Sequence, residues 1–200
     1  MKKILLLVVA CALNFNFSYA KDKSVSEKWT VDTAHSKVGF EIDHLVISSV
    51  EGSFDAFSGS LDFNPKSVKS LKVDVKISAK SINTANSKRD KHLRSADFFD
   101  VKKFPSVTFK SKKITDIKGK KFNIVGTLEI AGVKKEVTLK SKFLGTVEAY
   151  DVKRVAFKAK TSINRSDFGL KWNDVIEAGP VVGEEVEIEL KIEAKRLADL

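Results

Sequence analysis

Beyond residue 29, apolar and polar side chains alternate along most of the chain with a period of two. Successive side chains of a β-strand point to opposite faces of a sheet, so the pattern predicts strands with one apolar and one solvated face. Strands of this kind belong to antiparallel sheets. The alternation marks the stretches 38–42, 71–77, 122–130, 137–143, 155–163 and 186–192, with shorter candidates at 50–56, 58–63 and 106–111.

Residues that favour tight turns separate these stretches. The turn signals are Asn64-Pro65, Lys118-Gly119-Lys120, Ala131-Gly132 and Gly179-Pro180. Eight or nine strands joined in sequence, with almost no helix between them, indicate a β-sandwich or an up-and-down β-barrel. The length of 200 residues fits a single domain, and no internal repeat or linker interrupts it.

Two segments, 81–105 and 164–183, lack the alternation. In the first, Ser87-Lys88-Arg89-Asp90 has the spacing of a capping box, in which a serine oxygen and a carboxylate satisfy the first N–H groups of a helix. This spacing predicts a short helix over 88–96. Because long insertions in a compact domain are often lids or binding loops, we expect such a role for both segments.

Phenylalanine is abundant, with 14 in the chain, and those in the predicted strands fall on the apolar side. Two interpretations are open, because an eight-stranded barrel can be filled by its own side chains or can hold one small ligand. Small residues on the same side of the longest strands favour a cavity, since they leave room among the rings. These small residues are Gly126, Ser141 and Ala159.

The first twenty residues have the form of a secretory signal peptide. Two lysines open it, an apolar run follows over 4–13, and Ser18-Tyr19-Ala20 provides the small residues of a cleavage site. We expect cleavage after Ala20, a domain over 21–200, and export to the periplasm or out of a bacterial cell. Cys11, the single cysteine, would then be removed, unless it marks a lipoprotein signal.

The chain is basic, with 36 Lys+Arg against 26 Asp+Glu and a formal charge of +10. Nucleic acid is not the expected partner, because arginines are few and the aromatic residues fall on the buried side of the strands, where they cannot stack on bases. On the outward side, lysines alternate with acids, and Lys158 and Lys160 are expected to pair with Glu187 and Glu189. The remaining positive charge predicts peripheral contact with anionic lipid or an anionic membrane surface.

The only histidines are His35, His44 and His92, and three acids lie near them at Asp32, Asp43 and Asp90. Familiar metal-binding and catalytic spacings, such as H-E-x-x-H, C-x-x-C and G-x-S-x-G, do not occur. We interpret the histidines as structural and expect no metal and no cofactor. An enzyme that uses His92 with Asp90, or His35 with Asp32, is the alternative.

Arg89 and Arg165 lie in the two irregular segments, each close to an acid and a phenylalanine. The planar guanidinium group binds phosphate or carboxylate in a bidentate manner, so either arginine could hold the head group of a ligand. The alternative is an internal ion pair that keeps each loop closed.

In order and number, fragments spread from Trp29 to about Ala194 resemble the YceI-like proteins of bacteria. The fragments are Asp32-x-x-His35-Ser36, His44-Leu45, Gly52-x-Phe54-x-x-Phe57-x-Gly59, Ser81-Ile82-Asn83-Thr84, Arg89-Asp90-x-His92-Leu93-x-x-x-Asp97-Phe98-Phe99-Asp100, Phe104-Pro105, Phe109-x-Ser111, Gly126-x-Leu128, Gly132-Val133-x-Lys135, Asn164-Arg165-Ser166-Asp167-Phe168-Gly169 and Val182-Gly183-x-Glu185-Val186. The resemblance implies an all-β, antiparallel, lipocalin-like up-and-down barrel of about eight strands. It also implies binding of a polyisoprenoid or a related long-chain amphiphilic lipid, in transport, storage or stress response.

On this basis we expect an apolar cavity, with a lipid tail inside it and the head group at its mouth. The residues expected along the cavity are Phe40, Ile42, Phe54, Phe57, Phe98, Phe99, Phe109, Leu128, Phe143, Phe157 and Phe168. The head-group candidates are Arg89, His92 and Arg165. Besides the enzyme named above, a structural or stress-protective protein with a filled barrel and a homodimer face is a third hypothesis.

Overall fold

The structure of the protein is a computed structural model that describes residues 25–45, 47–176 and 179–200. The predicted signal peptide with Cys11 lies outside the described residues, so its cleavage stays a prediction. None of the helices within the described ranges has the length and apolar character needed to cross a membrane.

Strands make up most of the described chain, as the alternation predicts. They are β1 (Glu27–Val31), β2 (Lys37–His44), β3 (Ser48–Phe54), β4 (Phe57–Asn64), β5 (Ser67–Ser78), β6 (Ile82–Asn83), β7 (Ser106–Lys118), β8 (Lys121–Ile130), β9 (Val133–Ala149), β10 (Val152–Asn164), β11 (Val175–Ile176), β12 (Gly179–Pro180) and β13 (Val182–Arg196). An α-helix, α1, spans Ser87–Leu93, and short 3₁₀ turns occupy Thr33–His35, Ala79–Ser81, Arg165–Phe168 and Leu197–Asp199.

The sheet closes on itself because the N-terminal strands pair with the C-terminal strand. β1 pairs with the end of β13, where Trp29 lies opposite Arg196, and β2 pairs with the earlier part of β13. β4 pairs with β1 and β3 pairs with β2, so β1 with β2 and β3 with β4 act as two interrupted strands. Around the ring, each strand is antiparallel to its neighbours. The predicted up-and-down barrel of about eight strands is confirmed.

Aromatic rings fill one end of the barrel. The ring of Phe63 lies 5.3 Å from that of Phe143 and 5.2 Å from that of Phe157, centroid to centroid. Trp29 is 1% exposed in the same core, and its indole N–H donates to the carbonyl oxygen of Phe63 over 3.0 Å. We call these four residues the floor, because they seal the end of the barrel opposite the two irregular insertions.

The predicted helix is present but shorter and capped differently. It spans Ser87–Leu93, and its N-cap is Asn86, whose side-chain oxygen accepts from the backbone N–H of Arg89 over 3.0 Å. The expected capping box at Ser87 is wrong, because the carboxylate of Asp90 accepts instead from the N–H and hydroxyl groups of Thr84. That pair ties the helix to the end of β6.

Three of the predicted turns are found and one is wrong. Ala131 and Gly132 form the tight turn between β8 and β9 with φ values of 47° and 79°, and turns also follow Asn64 and Lys118. Gly179 and Pro180 form no turn, because they are the short strand β12, which pairs with β11. The second irregular segment therefore carries a small hairpin of its own.

The expected lysine–glutamate pairs are half confirmed. Lys160 lies opposite Glu189, with Nζ and Oε1 3.5 Å apart. Lys158 lies opposite Lys191 and Lys142, so its expected pairing with a glutamate is wrong. Alternation along a strand does not show which residues face one another across strands, because the relative register of the strands decides that.

Gly126 was expected to leave open space in the barrel, but the ring of Phe109 occupies that space. A methyl group placed on Gly126 would lie 2.5 Å from Cζ of Phe109 and 2.6 Å from the carbonyl oxygen of Lys110. Gly126 therefore allows β8 to pass beneath an aromatic ring of the neighbouring strand.

We predict that Gly126→Ala lowers the free energy of unfolding by about 1–3 kcal/mol, the usual cost of an overpacked core. Chemical denaturation measures the change. Gly39→Ala is the matched control, because its new methyl group would meet the flexible side chain of Lys37 at 3.2 Å. Equal losses in the two variants would contradict the assigned packing of Gly126 against Phe109.

Asp32 joins β1, the following turn and β13. Its carboxylate accepts from the ammonium group of Lys195 over 2.8 Å and from the backbone N–H of Ala34 over 3.2 Å, and Nδ1 of His35 lies 2.9 Å away. The hydrogen bond from Lys195 lowers the pKa of Asp32 from 3.8 to about 2, although burial opposes the shift. The hydrogen bond between Asp32 and His35 adds to the lowering.

A carboxyl group with a lowered pKa in the folded state stabilises the fold above its unfolded pKa. For Asp32 that contribution is complete above pH 3.8 and is lost as the pH falls towards 2. We predict that Asp32→Asn costs on the order of 1 kcal/mol at neutral pH and that its difference from the wild type narrows across this window. Urea unfolding at stepped pH measures it, with exposed Glu148→Gln as control, and a constant difference down to pH 2 would refute the assignment.

Candidate functional site: a cavity inside the barrel

A cavity of about 630 Å³ lies inside the barrel between the floor and the two insertions. Its size is in the range of ordinary ligand sites. The inward residues of the strands form its wall, and α1 and the segment around Trp172 form its mouth. The wall is apolar, whereas polar and charged side chains gather at the mouth, as in Asn86, Lys88, Arg89 and His92. This distribution fits an amphiphilic ligand whose apolar part enters first.

All but one of the residues expected along the cavity line it. They are Phe40, Ile42, Phe54, Phe57, Phe98, Phe99, Phe109, Leu128, Phe157 and Phe168. The exception is Phe143, which packs in the floor against Phe63 and Phe157. Strand parity places a side chain on the inner face but not at a height along the barrel axis, so Phe143 shares the face of the cavity and lies below it.

Most of the wall is aliphatic, and of its aliphatic residues the prediction named Ile42 and Leu128 and missed the others. The aliphatic residues of the wall include Val38, Leu61, Leu71, Val73, Val75, Ile77, Val107, Ile124, Ile130, Val137, Leu139, Ile163, Val186, Ile188, Leu190 and Ile192. Their strand parity, which is visible in the sequence, could have found them. Ser141 and Ala159 also line the wall, so the expected small residues do leave room at these two positions.

The two insertions meet over the mouth through three rings. The ring of Trp172 lies 4.8 Å from that of His92 and 5.3 Å from that of Phe98, and the rings of His92 and Phe98 are 5.1 Å apart. Nε2 of His92 lies 2.9 Å from a carboxylate oxygen of Asp97, which holds the imidazole ring in place. We call His92, Phe98 and Trp172 the clasp. Trp172 was not among the predicted site residues, and its place in an irregular segment was its only signal.

A second line of rings leads from the mouth into the cavity. Phe99 packs edge-on against Phe54, and Phe54 packs against Phe40, with centroids 5.8 Å apart in both pairs. Phe40 lies over Gly52, where a methyl group would be 2.3 Å from its Cζ atom. The rings thus join the first insertion to the wall formed by β2 and β3.

Arg165 is an internal tie, which favours the second of its two predicted roles. Its side chain is 3% exposed, and its guanidinium group donates to the carbonyl oxygens of Gly183, Leu170 and Trp172, each over 2.7 Å. Nη2 also lies 3.0 Å from a carboxylate oxygen of Glu184. Each nitrogen of this guanidinium group is engaged, so Arg165 fixes the insertion that carries Trp172 and does not offer a donor to a head group.

Arg89 is better placed to contact a ligand. Its Nε donates to the hydroxyl group of Thr84 over 2.8 Å, and its Nη2 donates to the carbonyl oxygen of Thr84 over 2.9 Å. Within the described residues, Nη1 of Arg89 forms no hydrogen bond. Thr84 therefore holds one side of the guanidinium group, and the other nitrogen is available at the cavity mouth beside Lys88.

The residue pairs considered for catalysis do not assemble at the cavity. His92 pairs with Asp97, and Asp90 is engaged by Thr84. His35 does pair with Asp32, as expected for the other candidate, but neither residue is part of the cavity lining.

Asp32, His35 and Glu193 place possible metal-ligand atoms within 4.8 Å of one another. Lysine and arginine already neutralise both acids, because Lys195 lies 2.8 Å from Asp32 and Arg154 lies 3.2 Å from Glu193. The cluster is better explained as the electrostatic link between β13 and the turn after β1.

Comparison with known proteins gives one consistent result. The YceI-like domain matches residues 29–194. The protein YceI of Salmonella newport is 36% identical over 196 residues, which cover 96% of this chain and 97% of that protein. The crystal structure of BcnA from Burkholderia cenocepacia superimposes with a TM-score of 0.70 at 26% identity and covers 82% of this chain and 98% of the other.

A further structural neighbour is a polyisoprenoid binding domain from Saccharophagus degradans that is implicated in plant cell wall breakdown. It superimposes with a TM-score of 0.63 and covers 84% of this chain and 98% of that domain. The sequence identity is 15%, so this likeness shows a shared fold and no more. The matched range, the full-length relative and the shared barrel lead to one conclusion: the chain belongs to the YceI-like domain family.

Proposed function

We propose that the protein is a lipid-binding protein that encloses the apolar tail of a polyisoprenoid or a similar long-chain amphiphile in its barrel. The observation that carries the proposal is the cavity of about 630 Å³, which is apolar along its wall and polar at its mouth. A tail that buries about 400 Å² of apolar surface would contribute about 10 kcal/mol before the costs of association. The family and the polyisoprenoid-binding neighbour of the same fold support this assignment.

The polarity of the site orients the ligand. The floor excludes a polar group from the closed end, so the tail points towards Phe157 and the head group stays at the mouth. Arg89 and Lys88 are then the groups closest to the head, since Arg165 is engaged by the protein itself. The clasp lies across the entrance, so uptake and release require His92 and Trp172 to separate.

Binding without catalysis is part of the proposal. Its support is the distribution of the acid–base candidates, since Asp90 is engaged by Thr84 and the His35–Asp32 pair lies away from the cavity lining. The role in transport, storage or stress response, export through the signal peptide and a homodimer stay predictions.

We predict that the purified protein binds one polyprenol molecule per chain. Native mass spectrometry before and after incubation with a polyprenol measures the complex, and lipid extraction identifies whatever was bound on purification. A protein that carries no lipid and does not bind a polyprenol, a prenylated quinone or a long-chain fatty acid would refute lipid binding.

We predict that Ala159→Phe lowers the affinity for a polyprenol at least tenfold, because the new ring occupies the cavity where Ala159 now lies against Ser141 of the neighbouring strand. Fluorescence titration of the folded variant measures the loss. The control is Lys160→Phe, which places the same ring on the exposed outer face of the same strand and is expected to bind as the wild type does. Unchanged affinity in Ala159→Phe would place the lipid outside the barrel.

A further inference from the structure

Six lysines form a continuous row around the outside of the barrel. Lys118 of β7 lies opposite Lys121 of β8, which lies opposite Lys142 of β9. From Lys142 the row continues to Lys158 of β10, then to Lys191 of β13 and to Lys37 of β2, and each lysine lies directly opposite the one before it. We call the set the lysine belt: Lys37, Lys118, Lys121, Lys142, Lys158 and Lys191.

The lysine belt carries an energetic cost. Like charges directly opposite one another on neighbouring strands destabilise a sheet. All six side chains are exposed, and among the described residues only Lys191 has a carboxylate within 4.0 Å, that of Glu189 at 3.9 Å. Cross-strand ion pairs therefore leave most of the repulsion uncompensated, which is expected of a surface that binds an anion.

The outer wall also separates its charges by height. Lys160, which is two residues nearer the mouth than Lys158 on β10, lies opposite Glu189 of β13 and Lys140 of β9. Glu187, which is two residues nearer the mouth than Glu189 on β13, lies opposite Glu41 of β2, and Glu41 lies opposite Glu51 of β3. Lysines that alternate with acids along single strands are thus sorted into a basic level and an acidic level across strands. Among the described residues, an anion that runs along the lysine belt meets six ammonium groups, and a carboxylate, that of Glu189, lies beside one of them.

We infer that the lysine belt is a binding site for a linear acidic polysaccharide. Neighbouring lysines are spaced by one strand separation, about 5 Å, so the belt offers one cation per step to a chain that crosses the strands. A polyuronate, with one carboxylate on each sugar ring, offers a comparable repeat of negative charge. The lysine ammonium group is a point charge and accepts such carboxylates in many orientations.

The shape of the belt distinguishes this ligand from other polyanions. Six of the eight barrel positions contribute a lysine, so the belt follows the curved wall around most of the barrel. A flat bilayer would contact only the lysines on one side of the barrel, whereas a flexible chain can follow the curved wall and contact all six. Single-stranded nucleic acid is disfavoured, because such sites combine basic residues with exposed aromatic side chains, and the belt consists of lysine alone.

The belt is distinct from the lipid site. Lys142 precedes the floor residue Phe143 and Lys158 follows the floor residue Phe157, so this part of the belt lies on the outside of the sealed end of the barrel. All six side chains are exposed on the outer face, whereas the lipid site is inside the barrel. The mouth of the cavity lies at the other end, beyond the acidic level. One molecule could therefore hold a lipid and a polysaccharide together, and either site can be tested without the other.

The test uses the purified protein and a fluorescently labelled alginate oligosaccharide in an anisotropy titration at low salt. The belt variant carries Lys142→Gln, Lys158→Gln and Lys191→Gln. The matched control carries Lys69→Gln, Lys76→Gln and Lys102→Gln, which remove the same charge from exposed positions outside the belt. We expect affinity to fall at least tenfold in the belt variant and less than twofold in the control, with binding weakening as salt rises.

Thermal unfolding provides a second readout. We expect the belt variant to unfold at the same or a higher temperature than the wild type, because the substitutions remove repulsion between facing lysines, and to bind polyprenol as the wild type does. Equal loss of alginate binding in both variants, or full binding by the belt variant, would overturn the inference. Tighter binding of phosphatidylglycerol vesicles or a single-stranded oligonucleotide than of alginate would overturn it as well.

Discussion

The pairing of β1 and β2 with β13 is the interaction on which the structure depends. It joins the two ends of the domain and converts a curved meander into a ring, which removes the open sheet edges that would otherwise attract another chain. It also creates an inside. Asp32 strengthens the closure from the turn between β1 and β2 through its contact with Lys195. Without the pairing of β1 and β2 with β13, the apolar faces of the strands would enclose no cavity.

In the closed barrel, the role of an inward or loop residue depends on its height along the barrel axis. The floor seals one end with packed rings, so the space above it can accept an apolar chain. At the other end, Arg165 fixes one insertion and Thr84 fixes the other through Asp90 and Arg89. Among the described residues, the clasp joins the insertions by ring contacts alone, which makes it the part of the enclosure most suited to opening. The outer wall carries a separate pattern of charge.

Period-two alternation was sufficient to predict the strands and their inner face but left a sandwich or a barrel open, and the resemblance to the YceI-like proteins supplied both the barrel and the lipid. The errors have a common physical origin. Parity assigned Phe143 to the inner face correctly but could not give its height, and it could not show that Phe109 fills the space beside Gly126. For Arg165 the sequence left two roles open, and only the carbonyl groups gathered around its side chain favoured one.

Which side chains face inward can be read from the sequence, because the two-residue period is a property of a single strand. Which residues face one another across strands depends on the fold, because register is set between strands that are distant in the chain. In the sequence, Lys158 and Lys160 of one strand and Glu187 and Glu189 of another suggested neutral ladders. Across strands, Lys158 meets Lys142 and Lys191, and a belt of one charge results. The cavity and the belt thus share one set of strands, but the sequence shows only the first.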